Sequence, residues 1–150
     1  WLEKEIGIEK AFNYKKIDNL IPEYRSEIKG GIDVYFDNVG GTHLEAGINI
    51  LNTGGRIALC GMIDQYNDPN IKNGPSNLIM LIMKNASIEG FIVSKYNHLQ
   101  EKFLEDMKNW SNSGKLIWKE TILEGIDLAP KAFINLFSGE NTGKMLVKIH

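Results

Sequence analysis

Residues Ile32-Asp33-Val34-Tyr35-Phe36-Asp37-Asn38-Val39-Gly40-Gly41, followed by Gly54-Gly55-Arg56-Ile57-Ala58-Leu59-Cys60-Gly61, decide the fold. The first run alternates and then breaks on a turn-forming Asp-Asn-Val-Gly-Gly, as a strand does at its carboxyl end. Thr42 with Glu45 three residues on matches a capping box, so a helix is expected to start there. Leu44, Ile48 and Leu51 give that helix one apolar stripe. Gly54 stands where a left-handed C′ residue would end it. Arg56 through Leu59 is short and mostly apolar, as a strand buried in a parallel sheet is. Strand, glycine turn, helix, glycine turn, strand is a βαβ unit. Such sheets take ligands at the carboxyl ends of their strands, here the turns at Asn38 and at Cys60-Gly61-Met62.

Outward from this unit, helices and strands continue to alternate. Trp1, Leu2 and Ile6 are expected on the buried face of a helix ending at Gly7. Residues 11–14 read as a short strand. Residues 18–28 read as a helix with Leu20, Ile21, Tyr24 and Ile28 inward and Pro22 in its first turn. Residues 62–77 form the longest irregular stretch and hold two of the four prolines. A helix over 78–83 and a strand over 87–93 follow, with Gly90 inside that strand. Asn97 with Gln100 is expected to cap a helix burying Leu99, Phe103, Met107 and Trp110 and ending at Gly114. A strand over 121–123, a helix opened by Pro130 that buries Phe133, Leu136 and Phe137 and stops at Gly139, and a strand over 145–149 complete the chain. The expected class is α/β, a Rossmann-like doubly wound parallel sheet.

The 150 residues carry a net charge of −2, with 43% hydrophobic and 24% charged residues. That composition is ordinary for a globular domain and offers no basic footprint for nucleic acid or an anionic membrane. The single cysteine rules out an internal disulfide framework and a cysteine-built zinc site. His43, His98 and His150 show no metal-ligand spacing, and His43 and His98 are expected at the surface. Asp33, Asp37 and Asp64 form no recognisable acid pair. A cytoplasmic location is expected. The chain opens on Trp1 and contains no G-x-G-x-x-G phosphate loop, so these residues are expected to be one partial nucleotide-binding domain, with the phosphate loop and a substrate-covering domain upstream.

Asp37-Asn38-Val39-Gly40-Gly41, Gly55-Arg56-Ile57-Ala58-Leu59-Cys60-Gly61, Gln65-Tyr66-Asn67, Gly74-Pro75, Glu89-Gly90-Phe91 and Gly139-Glu140-Asn141-Thr142-Gly143-Lys144 together resemble the zinc-independent medium-chain dehydrogenase/reductases. The resemblance is strongest to the leukotriene B4 12-hydroxydehydrogenase and prostaglandin reductase branch, with its NADPH-dependent alkenal and curcumin reductases. It implies an NADP cofactor, no metal, and hydride transfer to the activated carbon–carbon double bond of an enone or enal. The cofactor carries that chemistry, and the protein orients it.

By the same resemblance Asn38 lies beside the cofactor, and the backbone of Cys60, Gly61, Met62 and Ile63 lines its nicotinamide end. Tyr66 serves near the nicotinamide ribose or the substrate carbonyl and is the catalytic candidate. Phe91, Ile92 and Val93 hold the carboxamide through their backbone, and Asn141 reaches back to the cofactor. Tyr14 is either a core residue or a contact on the adenosine-phosphate side. Residue type alone leaves Asn38 and Asn141 as turn formers, Cys60 as a small hydrophobe and Tyr66 as a loop tyrosine. The 87–93 strand is implied to pair with its twin in a homodimer, and a proline at Ile92 is expected to break that pairing. Quinone reduction is a second enzymatic reading. A dimerisation and half-cofactor module, inactive on its own, is a non-enzymatic one.

Overall fold

A computed structural model describes residues 1–70 and 73–149, so His150 and part of the 62–77 stretch lie outside the described residues. The chain divides into two compact units, Trp1–His98 and Leu99–His150.

The first unit is built on a parallel sheet of three strands in the order β1-β2-β3: β1 (Ile32–Asp37), β2 (Leu51–Leu59) and β3 (Ser87–Gly90). Helix α1 (Leu20–Glu27) precedes β1, helix α2 (Gly41–Ile50) joins β1 to β2, and the short α3 (Ile79–Met83) leads into β3. The predicted βαβ unit is therefore present, with β1 and β2 paired in parallel. Leu44, Ile48, Leu51 and Ile57 form its buried core, with Ile32, Tyr35, Leu59 and Met80 packed around them. Burying each such aliphatic side chain stabilises the fold by roughly 1.5–3 kcal/mol. Tyr35 points to α2, and Val34 and Phe36 lie on the opposite, exposed face of the sheet. Helix and strand approach closely at Gly47, where an added Cβ would stand 2.7 Å from the Tyr35 ring.

Several local expectations are corrected. Helix α2 begins at Gly41, Thr42 makes no cap, and Glu45 instead accepts from the Ser76 amide at 2.7 Å. The helix ends at Ile50, and Leu51 is already extended. Gly54 does have positive φ (76°), but inside β2, where its amide reaches the Lys84 carbonyl. The register jumps there, from Ile32 opposite Leu51 to Val34 opposite Arg56, so the glycine serves a bulge and not a helix end. Residues 11–14 form no strand; a 3-10 turn, Tyr14–Lys16, stands at their end. Helix α1 starts at Leu20, capped by the Asn19 side chain, and only Leu20 of its inward set is fully buried. The opening turn Leu2–Ile6 ends at a left-handed Gly7 as expected, but buries none of its residues. Strand β3 stops at Gly90, short of Val93.

The second unit holds α4 (Gln100–Asn112), α5 (Ala129–Ser138) and a parallel pair, β4 (Glu120–Glu124) and β5 (Lys144–Lys148). Pro130 sits in the first turn of α5, and Gly139 ends that helix in a left-handed conformation, both as predicted. Helix α4 has Leu99 at its N-cap with no side-chain cap, so the Asn97 cap is not formed. Leu99, Phe103, Trp110, Phe133, Leu136 and Phe137 are exposed, contrary to expectation. A two-stranded sheet offers too little surface to cover two amphipathic helices. Among the described residues no helix is long and apolar enough to cross a membrane.

Candidate active site

The carboxyl ends of β1 and β2 lie side by side, and main-chain hydrogen bonds tie their turns together. The Asp37 carbonyl accepts from the amides of Cys60 (2.8 Å) and Gly61 (3.2 Å). The Asn38 carbonyl accepts from Ile63 (3.2 Å), and the Val39 carbonyl from Asp64 (3.1 Å). Gly40 and Gly41 both have positive φ, 76° and 51°, which lets the chain turn from β1 straight into α2. A 3-10 turn, Ile63–Gln65, then brings Tyr66 back over the loop. The Tyr66 hydroxyl accepts from the Met62 amide at 3.4 Å. A Cβ placed on Gly61 would stand 3.2 Å from both the Asn38 carbonyl oxygen and the Tyr66 oxygen, so glycine leaves open a space that other residues would crowd.

Cys60, Gly61, Met62, Tyr66, Phe91 and Ile92 line one cleft of about 860 Å³ at these strand ends. Six of the sequence-predicted site residues thus meet in one place, on segments far apart in the chain. Asn38 adjoins the group through its carbonyl, with its side chain exposed. Ile63 and Val93 are exposed and lie outside the lining. Tyr14 lines a different cleft, of about 410 Å³, with Thr42 and His43. Its ring meets that of His43 edge-on, with centroids 5.0 Å apart. His43 is half-buried there and not a surface residue as expected, while His98 is exposed. Asn141 belongs to the second unit, where its side-chain amide donates to the Gly143 carbonyl at 2.7 Å.

Sequence reasoning missed the importance of Asp37. Its side chain is fully buried. The carboxylate accepts from the Val39 amide (3.0 Å) and the Gly40 amide (3.1 and 3.2 Å). The Tyr35 hydroxyl lies 3.5 Å from it and 3.4 Å from the His43 carbonyl. Burial first, and then the Asp37 charge, push the Tyr35 phenol well above its usual range, so it stays a neutral donor. The signal was present, since an Asp before Val-Gly-Gly is poised to bond the amides two and three residues on. Ser94 and Lys95 also line the cleft and were not anticipated. The Cys60 thiol is free and exposed. Among the described residues no group of three or more His, Cys, Asp or Glu side chains is placed to hold a metal ion.

The family model for zinc-binding dehydrogenases matches residues 2–109. The chain belongs to that family. Among curated members it is 41% identical over 99% of its length to a 2-alkenal reductase (NADP(+)-dependent) of Nicotiana tabacum, covering 43% of that protein. It is 40% identical over 97% of its length to prostaglandin reductase 1 of Rattus norvegicus, covering 44%. These are the zinc-independent medium-chain reductases that its motifs resemble. Among solved structures, CurA of Vibrio vulnificus in complex with NADPH superposes with a TM-score of 0.88 at 36% identity, over 99% of this chain and 45% of CurA. That likeness extends the Rossmann-like reading to the whole chain. The chain spans under half the length of these zinc-binding dehydrogenase relatives.

Proposed function

We propose that the whole protein is an NADP-dependent oxidoreductase that reduces the activated carbon–carbon double bond of enones or enals without zinc. The observation that carries this reading is the 36% identity across 99% of the chain with a structure that holds NADPH, CurA, in a chain whose strand ends form an open cleft. The names of the alkenal reductase and prostaglandin reductase relatives point to the same substrate class.

The cleft suits a nicotinamide. Gly61 leaves room for close approach, and main-chain groups of Cys60, Met62 and Phe91 offer fixed donors and acceptors. Bound there, NADPH supplies the hydride. The chain orients the reacting partners and donates to the substrate carbonyl oxygen, where negative charge develops as the β-carbon is reduced. Tyr66 is the proposed donor, either to that oxygen directly or to the ribose. Its hydroxyl accepts from the Met62 amide, which leaves its own proton available. Asn38, Ile63, Ile92 and Val93 complete the nicotinamide side of the proposed site, Tyr14 the adenosine-phosphate side, and Asn141 a contact from the tail.

On this reading residues 1–150 form the distal part of a single NADP-binding domain and its tail, and the phosphate loop and substrate cover belong to the remaining length of the relatives. We further propose a cytoplasmic homodimer. An edge position and four exposed residues support β3 as the pairing strand. The free, exposed Cys60 thiol suits a reducing compartment. The test is steady-state oxidation of NADPH by the whole protein with a panel of enones, enals and quinones, with products identified by mass spectrometry. Saturated ketones or aldehydes are expected. Turnover of quinones alone, or of no acceptor, refutes the reading.

A further inference from the structure

The mechanism leaves the Asp37 side chain unused, and among the described residues of the first unit it is the buried polar one, at 0% exposure. A buried carboxylate is costly unless its lone pairs are satisfied. Here the Val39 and Gly40 amides and the Tyr35 phenol satisfy them. The bonds fix the backbone of residues 37–40 at the point where β1 turns into α2. That backbone in turn presents three consecutive carbonyls, of Asp37, Asn38 and Val39, to the amides of Cys60, Gly61, Ile63 and Asp64. One carboxylate therefore sets the direction of the carbonyls that carry the neighbouring loop. Close packing across the same seam adds to the coupling. A Cβ on Gly40 would stand 3.1 Å from the Met62 side chain, and one on Gly41 2.6 Å from the Asp64 carboxylate.

We propose that Asp37 is a positioning residue for hydride transfer: by holding the turn after β1 it holds the Cys60–Tyr66 loop in register with the cofactor. The proposal rests on the reading of this cleft as the nicotinamide site. Asp37 touches neither cofactor nor substrate; it acts through the carbonyls of residues 37–39. It differs in kind from a residue that only stabilises the fold, because its loss loosens one wall of the cleft, while its ties to α2 are the Gly40 amide at the helix start and the long contact with the Tyr35 hydroxyl, not the Leu44–Ile48 packing.

The experiment compares the whole wild-type protein with Asp37→Asn and Asp37→Ala. Asn keeps one acceptor oxygen, the one that both amides reach, and so rescues in part. Amide hydrogen exchange without cofactor is expected to speed up at Cys60, Gly61, Ile63 and Asp64, most in Asp37→Ala, with Ile48 in the α2 core unchanged. A misplacement of about 1 Å costs roughly a hundredfold in rate, so kcat with NADPH and an enone is expected to fall about that much in Asp37→Ala and roughly tenfold in Asp37→Asn. Where Asp37→Ala does not fold, Asp37→Asn carries both measurements. Unchanged exchange at residues 60–64 overturns the proposal, and so does a lowered Tm with kcat per folded molecule unchanged. Tighter NADPH binding by Asp37→Asn with unchanged kcat overturns it too, since that is the signature of a mere negative charge near an anionic ligand. A wild-type protein that reduces no enone refutes the functional reading instead, and the exchange measurement still decides whether Asp37 holds the loop.

Discussion

Replacing Tyr66 by phenylalanine removes one hydroxyl and almost no volume. Tyr66 is 66% exposed, and its hydroxyl accepts from the Met62 amide at 3.4 Å, a long contact. Water can take the place of that acceptor, so the stability change is expected to stay within about 0.5 kcal/mol, the band for surface substitutions. The kinetic effect separates from this. If the hydroxyl steadies the ribose, one neutral hydrogen bond is lost, about 0.5–1.5 kcal/mol, and kcat/KM falls about tenfold or less. If it donates to the developing enolate oxygen, the loss is that of an oxyanion donor, roughly 2.7–4 kcal/mol, or about a hundredfold and more. The second loss appears mainly in kcat, because the interaction exists chiefly in the transition state. The assay is steady-state reduction with NADPH and enone both varied, alongside a thermal melt of the whole protein. Unchanged kcat and KM refute both roles and leave Tyr66 an ordinary loop tyrosine.

Three further outcomes are expected. The Phe91 amide bonds the Leu59 carbonyl, so residues 89 and 91 face β2, and Ile88 and Gly90 face outward. Ile88→Pro should then yield monomers by sedimentation while sparing the sheet, and a persistent dimer refutes pairing through β3; Ile92, beyond the strand's end, does not test it. Gly61→Ala places a methyl 3.2 Å from the Asn38 carbonyl and the Tyr66 oxygen, and overpacking of about 1–3 kcal/mol is expected to weaken NADPH binding by roughly tenfold in calorimetry. An unaltered Kd argues that the cofactor does not approach there. Lys84 donates to the Ile48 and Asn49 carbonyls at the end of α2, and Lys84→Met should cost about 1–3 kcal/mol in denaturant unfolding. Burial lowers the Lys84 pKa from 10.5, so the unfolded chain binds the proton more tightly and stability rises with pH through the window just below that value. The variant should lose that rise.

The βαβ unit was legible because its signals are periodic and local: alternation into Phe36, an apolar stripe at Leu44 and Ile48, and glycines at both turns. Gly7, Gly139 and Pro130 were legible for the same reason, since each is fixed by its own backbone geometry. The start of α2 was not. Thr42 and Glu45 match a capping box, but the helix is entered earlier, through Gly40, whose amide bonds the Asp37 carboxylate, and the Ser76 amide thirty-one residues on takes the Glu45 carboxylate. Distance along the chain hides such competition. Gly54 likewise carries the positive φ a helix end would need, and only strand pairing reveals that it belongs to a bulge. At the site, the resemblance named six residues that the fold then gathered, whereas the Asp37 turn signal was legible but its burial and the loop it holds were not.

The Asp37, Asn38 and Val39 carbonyls meet the amides of residues 60–64 through peptide groups. Peptide groups do not change when a codon does. Cys60, Met62 and Ile63 can therefore be exchanged for most other residues without altering the bonds that shape the cleft wall. Proline is barred at 60, 61, 63 and 64, because it has no amide to give. A lineage carrying this scaffold is free to vary the Cys60 side chain while inheriting these main-chain bonds intact, and a designer testing the proposed acceptor site can randomise Cys60 before Met62, whose side chain packs against Gly40.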